Sequence, residues 1–279
     1  MKKVILLLIF IWNASSAFSQ WGSKADFERE TWNAFNSAKL YVVLLGSEEI
    51  DNALRSAFEK FWTFNKYEFI DLNKYNELKK SPANFFLALI KLTRTKDYND
   101  QDYMYLFLMR GSKNGKPQYN DPLADLQLTG SEDILSGEYM LPVTQMPVLI
   151  KYMQWYANLV TSGKISDGGD LKKLVNGSSS KIKSKPLYVL DSDLNKKIKS
   201  EADIKKEYPG EVHVVTEGEL EEIIESNDDV HLFFCVKSDS KAWDYVYNIK
   251  TGQLLYYGSN VISSAWPAGM IPYHYKDWK

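Results

Sequence analysis

The residues best placed to do chemistry are Asp191 and Asp193, which directly follow the apolar run Leu187-Tyr188-Val189-Leu190. That run reads as a short buried strand. Open α/β sheets bind ligands beyond the carboxyl ends of their strands, so two carboxylates there stand where a reaction would be run. The same spacing also permits a structural role, in which Asp191, Ser192 or Asp193 caps the amides of a following helix and complements its dipole. Other reactive side chains are few. His231 and Cys235 lie four apart on an expected strand, so they share a face and could in principle meet a metal ion, but spacing offers no third ligand. Cys235, flanked by Phe233, Phe234 and Val236, has the surroundings of a small buried hydrophobe. His213 reads as a strand residue with one satisfied nitrogen, and His274 sits in an aromatic C-terminal tail. The chain has no phosphate-cradling glycine loop, zinc-protease helix, nucleophile-elbow serine or CxxC pair.

Asp191-Ser192-Asp193 resembles the opening motif of haloacid-dehalogenase-type phosphatases. The resemblance implies that Asp191 attacks phosphorus and Asp193 serves as acid and base, with a magnesium ion held beside them. This sequence departs from that family's pattern in three places. Asn195 stands where the family has Thr or Val, no later lysine answers the motif, and Asp228-Asp229 precedes a strand instead of following one. A magnesium-dependent phosphatase-like hydrolase is therefore the alternative expectation. The first expectation is a non-catalytic binding or assembly module, with no cofactor.

The elements that must position these residues repeat. Leu40 to Leu45 is a buried strand ended by Gly46-Ser47, and the helix after it carries Ile50, Leu54, Ala57, Phe58 and Phe61 on one stripe. A strand at Tyr67–Ile70, a brief helix from Asn73 to Lys80, and a hairpin of Asn84–Ile90 with Tyr103–Met109 complete the order βαβαββ. The second half repeats it. Pro186–Leu190 is a strand, Asp193 to Tyr208 a lysine-rich helix, and Val212–Val215 a strand. Thr216 and Glu219 then form a capping box, and two further strands follow, Val230–Val236 and Trp243–Ile249. The fold class expected is α/β, with α+β the variant: two similar modules at a period of roughly 150 residues, each a mostly parallel sheet with an antiparallel edge hairpin, covered by helices.

The organisation that follows is a signal peptide over residues 1–19 and a first module over 20–138 with its own N-terminal helix. A connecting helix and a Gly/Ser-rich linker occupy 139–184, and the second module with its aromatic tail occupies 185–279. Gly111 to Gly137 reads as loop, and Thr161 to Lys185, with Gly168-Gly169 and Gly177-Ser178-Ser179-Ser180, as the joint between modules. The connecting helix, with Val148, Leu149, Tyr152, Met153, Tyr156, Leu159 and Val160, reads as packed.

Lys2 and Lys3 precede an apolar run of about nine residues and a small-residue stretch ending Ala17-Phe18-Ser19, which is the layout of a secretory signal cleaved between Ser19 and Gln20. The run is far shorter than the roughly twenty residues of a membrane-spanning helix, so no transmembrane segment is expected in the mature chain. The destination expected is periplasmic or extracellular. Cys235 is the only cysteine, so no internal disulfide can form and stability must come from apolar cores, for which 44% hydrophobic residues suffice. Thirty-four basic residues nearly balance 36 acidic ones, leaving a net charge of -2 and no electrostatic footprint for nucleic acid or an acidic membrane surface. In the tail, Trp266, Tyr273, Tyr275 and Trp278 could form a binding strip for an envelope protein, peptide or glycan, or pack down as a closing strap.

Overall fold

The structure is a computed structural model that describes residues 10–12, 28–96, 99–116, 123–129, 141–198, 200–237, 241–262, 268–270 and 278. Two mixed sheets of the same topology organise it. In the first, β2 (Leu40–Val43) lies between β3 (Tyr67–Ile70) and β4 (Phe85–Lys96), parallel to both. The chain then returns antiparallel through β5 (Asn99–Arg110) and β6 (Ala124–Thr129). In the second, β7 (Leu187–Leu190) lies between β8 (Val212–Val215) and β9 (His231–Lys237), again parallel to both. The antiparallel strands β10 (Lys241–Asn248) and β11 (Leu254–Val261) follow. Even the register corresponds: Leu40 pairs with Tyr67 and Phe85, and Leu187 with Val212 and His231. Each module thus holds two parallel and two antiparallel pairs, a more even mixture than a mostly parallel sheet. A further short strand, β1 (Phe10–Trp12), runs parallel to β4 at Leu92–Arg94 and falls within the segment expected to be a signal peptide.

The strand of the first module that the expected βαβαββ order lacks is β6, the counterpart of β11, inside the stretch expected to be loop. Its Leu126 and Leu128 are buried, but so are the polar Gln127 and Thr129, and a run so short among Gly, Pro and Asp shows no clear strand period in the sequence. Helices α1 (Arg29–Ser37), α2 (Glu48–Phe61) and α3 (Leu72–Leu78) belong to the first module. The connecting helix α4 (Met146–Thr161) is buried nearly all round, as a helix apolar on every side must be. It packs on α1, α2 and β10, with Tyr156 edge-on to Trp32 and Tyr152 edge-on to Tyr247.

Two stretches fold differently from their composition. The Gly/Ser-rich joint is helical, as α5 (Gly168–Ser178) and a 3-10 turn over Ser179–Ser184, because Leu171, Val175 and Ile182 give it an apolar side to bury. The helix expected from Asp193 to Tyr208 is reduced to a 3-10 turn at Asp191–Asp193 and the short α6 (Glu201–Lys205). Chain from the C-terminus takes the place of its first turns. Leu194 bridges Met270, the Asp193 carbonyl accepts the Met270 amide at 2.9 Å, and Asn195 Nδ2 donates to the Ala268 carbonyl at 3.0 Å. The last helix, α7 (Glu217–Ser226), has the capping box expected of Thr216 and Glu219.

The sheets are not separate bodies. Leu87 and Leu106 of the first sheet, Val148 and Met153 of α4, and Leu232, Phe234, Tyr245 and Tyr247 of the second all belong to one apolar core. Strand β9 divides its side chains by the period of a strand, Leu232, Phe234 and Val236 into that shared core and Phe233 and Cys235 into a smaller one behind it. Among the described residues no helix is long and apolar enough to cross a membrane.

Candidate functional site at the strand ends and between helices

The aspartate pair separates. Asp191 is exposed, whereas Asp193 turns inward, is 7% exposed, and accepts the Cys235 amide through Oδ2 at 3.2 Å. Burial pushes the Asp193 carboxyl up to about 7, with the Asp244 and Asp191 charges adding to it and Lys237 and the Cys235 amide opposing. Cys235 faces Asp244 across the β9–β10 pair, and burial raises its thiol well above the usual range. Asp244 Oδ2 accepts from Asn260 Nδ2 at 3.0 Å. Asp193 therefore ties the loop after β7 to the end of β9. It does not cap a helix.

The residues do not fit a magnesium-dependent phosphatase centre. One carboxylate of the pair is in solvent and the other is buried against a backbone amide. Among the described residues no group of three or more His, Cys, Asp or Glu could hold a metal ion. His231 and Cys235 share a face but not a ligand: His231 Nδ1 lies 2.9 Å from the Ile182 carbonyl, and Cys235 is core. His213 stacks on Tyr188 and meets Glu211 at 2.8 Å. Trp278 is 1% exposed, wedged between Tyr208 and Tyr256, and so packs as a strap would. Trp266, Tyr273, Tyr275 and His274 lie outside the described residues.

Asp193 does line a small cavity of about 140 Å³. Leu190 and Ser192 come to it from the end of β7, Val236 and Lys237 from the end of β9, and Glu217 from the start of α7. The chain leaves β7 in one direction along the sheet and arrives at β9 on the other side, so this is the topological switch point at which open α/β sheets accept ligands.

Leu141 and Glu217 also line a much larger cleft of about 810 Å³. One wall is α2, through Glu49, Ile50, Ala53, Ser56 and Phe61; the other is α7, through Glu217, Glu221, Ile224 and Glu225. Local chemistry starts both helices at strand ends. Asp51 accepts the amides of Leu45 and Gly46, each at 2.9 Å, which fixes the turn from β2 into α2, and the capping box fixes the turn from β8 into α7. Near the far end Lys60 and Glu225 form an ion pair at 2.8 Å across the cleft. The groove is lined by residues that helical periodicity assigns to the core. Ile50 and Phe61 lie on the apolar stripe of α2, but only Leu54, Ala57 and Phe58 of that stripe are buried. A stripe wider than its buried part is the one signal in the sequence that could have marked this face.

Comparison with protein-family models, with curated proteins and with solved structures finds no match for this chain.

Proposed function

We propose that this protein is an exported, non-catalytic binding module of the cell envelope that holds its ligand in the groove between α2 and α7. The cleft of about 810 Å³ carries this reading: each module supplies one of its walls, and its size suits a ligand site. Its floor is apolar, through Ile50, Phe61, Leu141, Val143 and Ile224, with polar groups at the rim, the usual division between affinity and orientation. The charged, apolar and small-residue segments at the N-terminus support export.

A photo-crosslinking side chain placed at Ser56, inside the groove, tests both parts in intact cells. It should yield a discrete adduct with an envelope component, and Ala53→Trp, which fills the groove, should abolish it. The same probe at Lys74, on the exposed face of α3, should give no such adduct. No adduct from Ser56, adducts only with cytoplasmic components, or an adduct indifferent to Ala53→Trp would each refute the proposal.

A further inference from the structure

We propose that the groove is shaped for a basic amphipathic peptide segment, whose apolar side chains rest on the floor while its lysines or arginines meet the glutamates of the rim. The inference rests on the groove reading and adds the chemistry of the occupant.

Charge decides the class. Among the described residues, Glu49, Glu217, Glu221 and Glu225 line the groove against one cation, Lys60, which is already paired with Glu225 at 2.8 Å. The whole chain is close to neutral, with 34 basic and 36 acidic residues, so this excess is local. An acidic or phosphorylated partner would bring like charges together and be rejected. A hydrated metal ion or a polyamine would answer the glutamates but leave the half-buried Ile50, Phe61 and Val143 facing water.

Length argues the same way. The 14 residues of α2 span about 21 Å at 1.5 Å per residue, room for three to four turns of a helical segment. Two helices flanking an apolar floor also offer the setting in which a bound helix anchors through positions spaced three and four apart. The glutamates stand at the rim, with Glu49, Glu217 and Glu221 exposed, so they act chiefly on encounter and orientation and their effect falls with salt.

The test is fluorescence anisotropy of a labelled leucine- and lysine-patterned helical peptide of about 14 residues, matched to the length of α2. It should bind the purified protein, weakening about tenfold as sodium chloride rises from about 50 to about 300 mM. The double variant Glu217→Gln, Glu221→Gln should lose about tenfold in affinity with its melting temperature unchanged. Ala53→Trp should abolish binding. If a glutamine-for-lysine version of the peptide binds as tightly and Ala53→Trp still blocks it, the charge assignment fails and the groove reading survives. Binding indifferent to Ala53→Trp, displacement of the peptide by spermidine at matched charge, or no binding by the lysine peptide would each overturn the proposal.

Discussion

Burying a carboxyl group costs free energy when it ionises, and Asp193 carries that cost in the folded state alone. Its ordinary value of 3.8 is raised to about 7 by burial. Between those values the unfolded chain has released the proton while the folded chain still holds it, so stability falls as pH rises through this window. Below it the penalty is absent, and above about 7 it is complete. Asp193→Asn keeps an oxygen for the Cys235 amide and removes the charge. Relative to the parent it should gain about 2 to 3 kcal/mol between about pH 5 and about pH 8, measured by urea denaturation. A difference that stays constant with pH would show that Asp193 is not buried as an acid. The position of this pair at a strand end was legible in Leu187–Leu190 and the polar residues after it. The fates of its two members were not, because Cys235 and Met270, which draw Asp193 inward, come from distant parts of the chain.

At the level of elements, α4 is held to the second module through Lys151 as well as through Tyr152. Lys151 Nζ donates to Asn227 Oδ1 at 2.6 Å and to the Ile249 carbonyl at 2.9 Å, and lies 3.9 Å from the centre of the Phe61 ring. Burial lowers this lysine to about 8. Beside it the β10–β11 turn presses Gly252 against the helix. Gly252 has a φ of +69°, and a Cβ there would lie 2.2 Å from the Lys151 carbonyl carbon and 2.4 Å from the Tyr152 nitrogen. Gly252→Ala should therefore cost about 2 to 3 kcal/mol in a chemical melt, since backbone on both sides must move. A loss under about 0.5 kcal/mol, the range of an ordinary surface change, would mean that the turn and helix are not in contact. Elements set by neighbouring residues were readable in advance: the capping box at Thr216 and the strand–cap–helix run from Leu40. Those set by distant partners were not. The glycines and serines of α5 read as a joint because the surface that Leu171 and Val175 cover belongs to other parts of the chain, and α5 packs on β11.

For the whole molecule, the repeat was visible in the order of strands and helices, and the shared strand order and register show why. The same minimal sheet is built twice, from short apolar runs at similar intervals. Its consequence for function was not visible. The groove exists only because α2 and α7, from different modules, face one another, and what holds them there is the apolar core common to both sheets. Leu232, Phe234 and Val236 of the second sheet would lose that core if the modules parted, which makes independent unfolding of either one unfavourable. Scanning calorimetry of the intact protein tests this most directly. A rigid groove predicts a single transition whose van't Hoff and calorimetric enthalpies agree, lowered as a whole by Phe234→Ala. Two separable transitions, with Phe234→Ala moving only one of them, would contradict it.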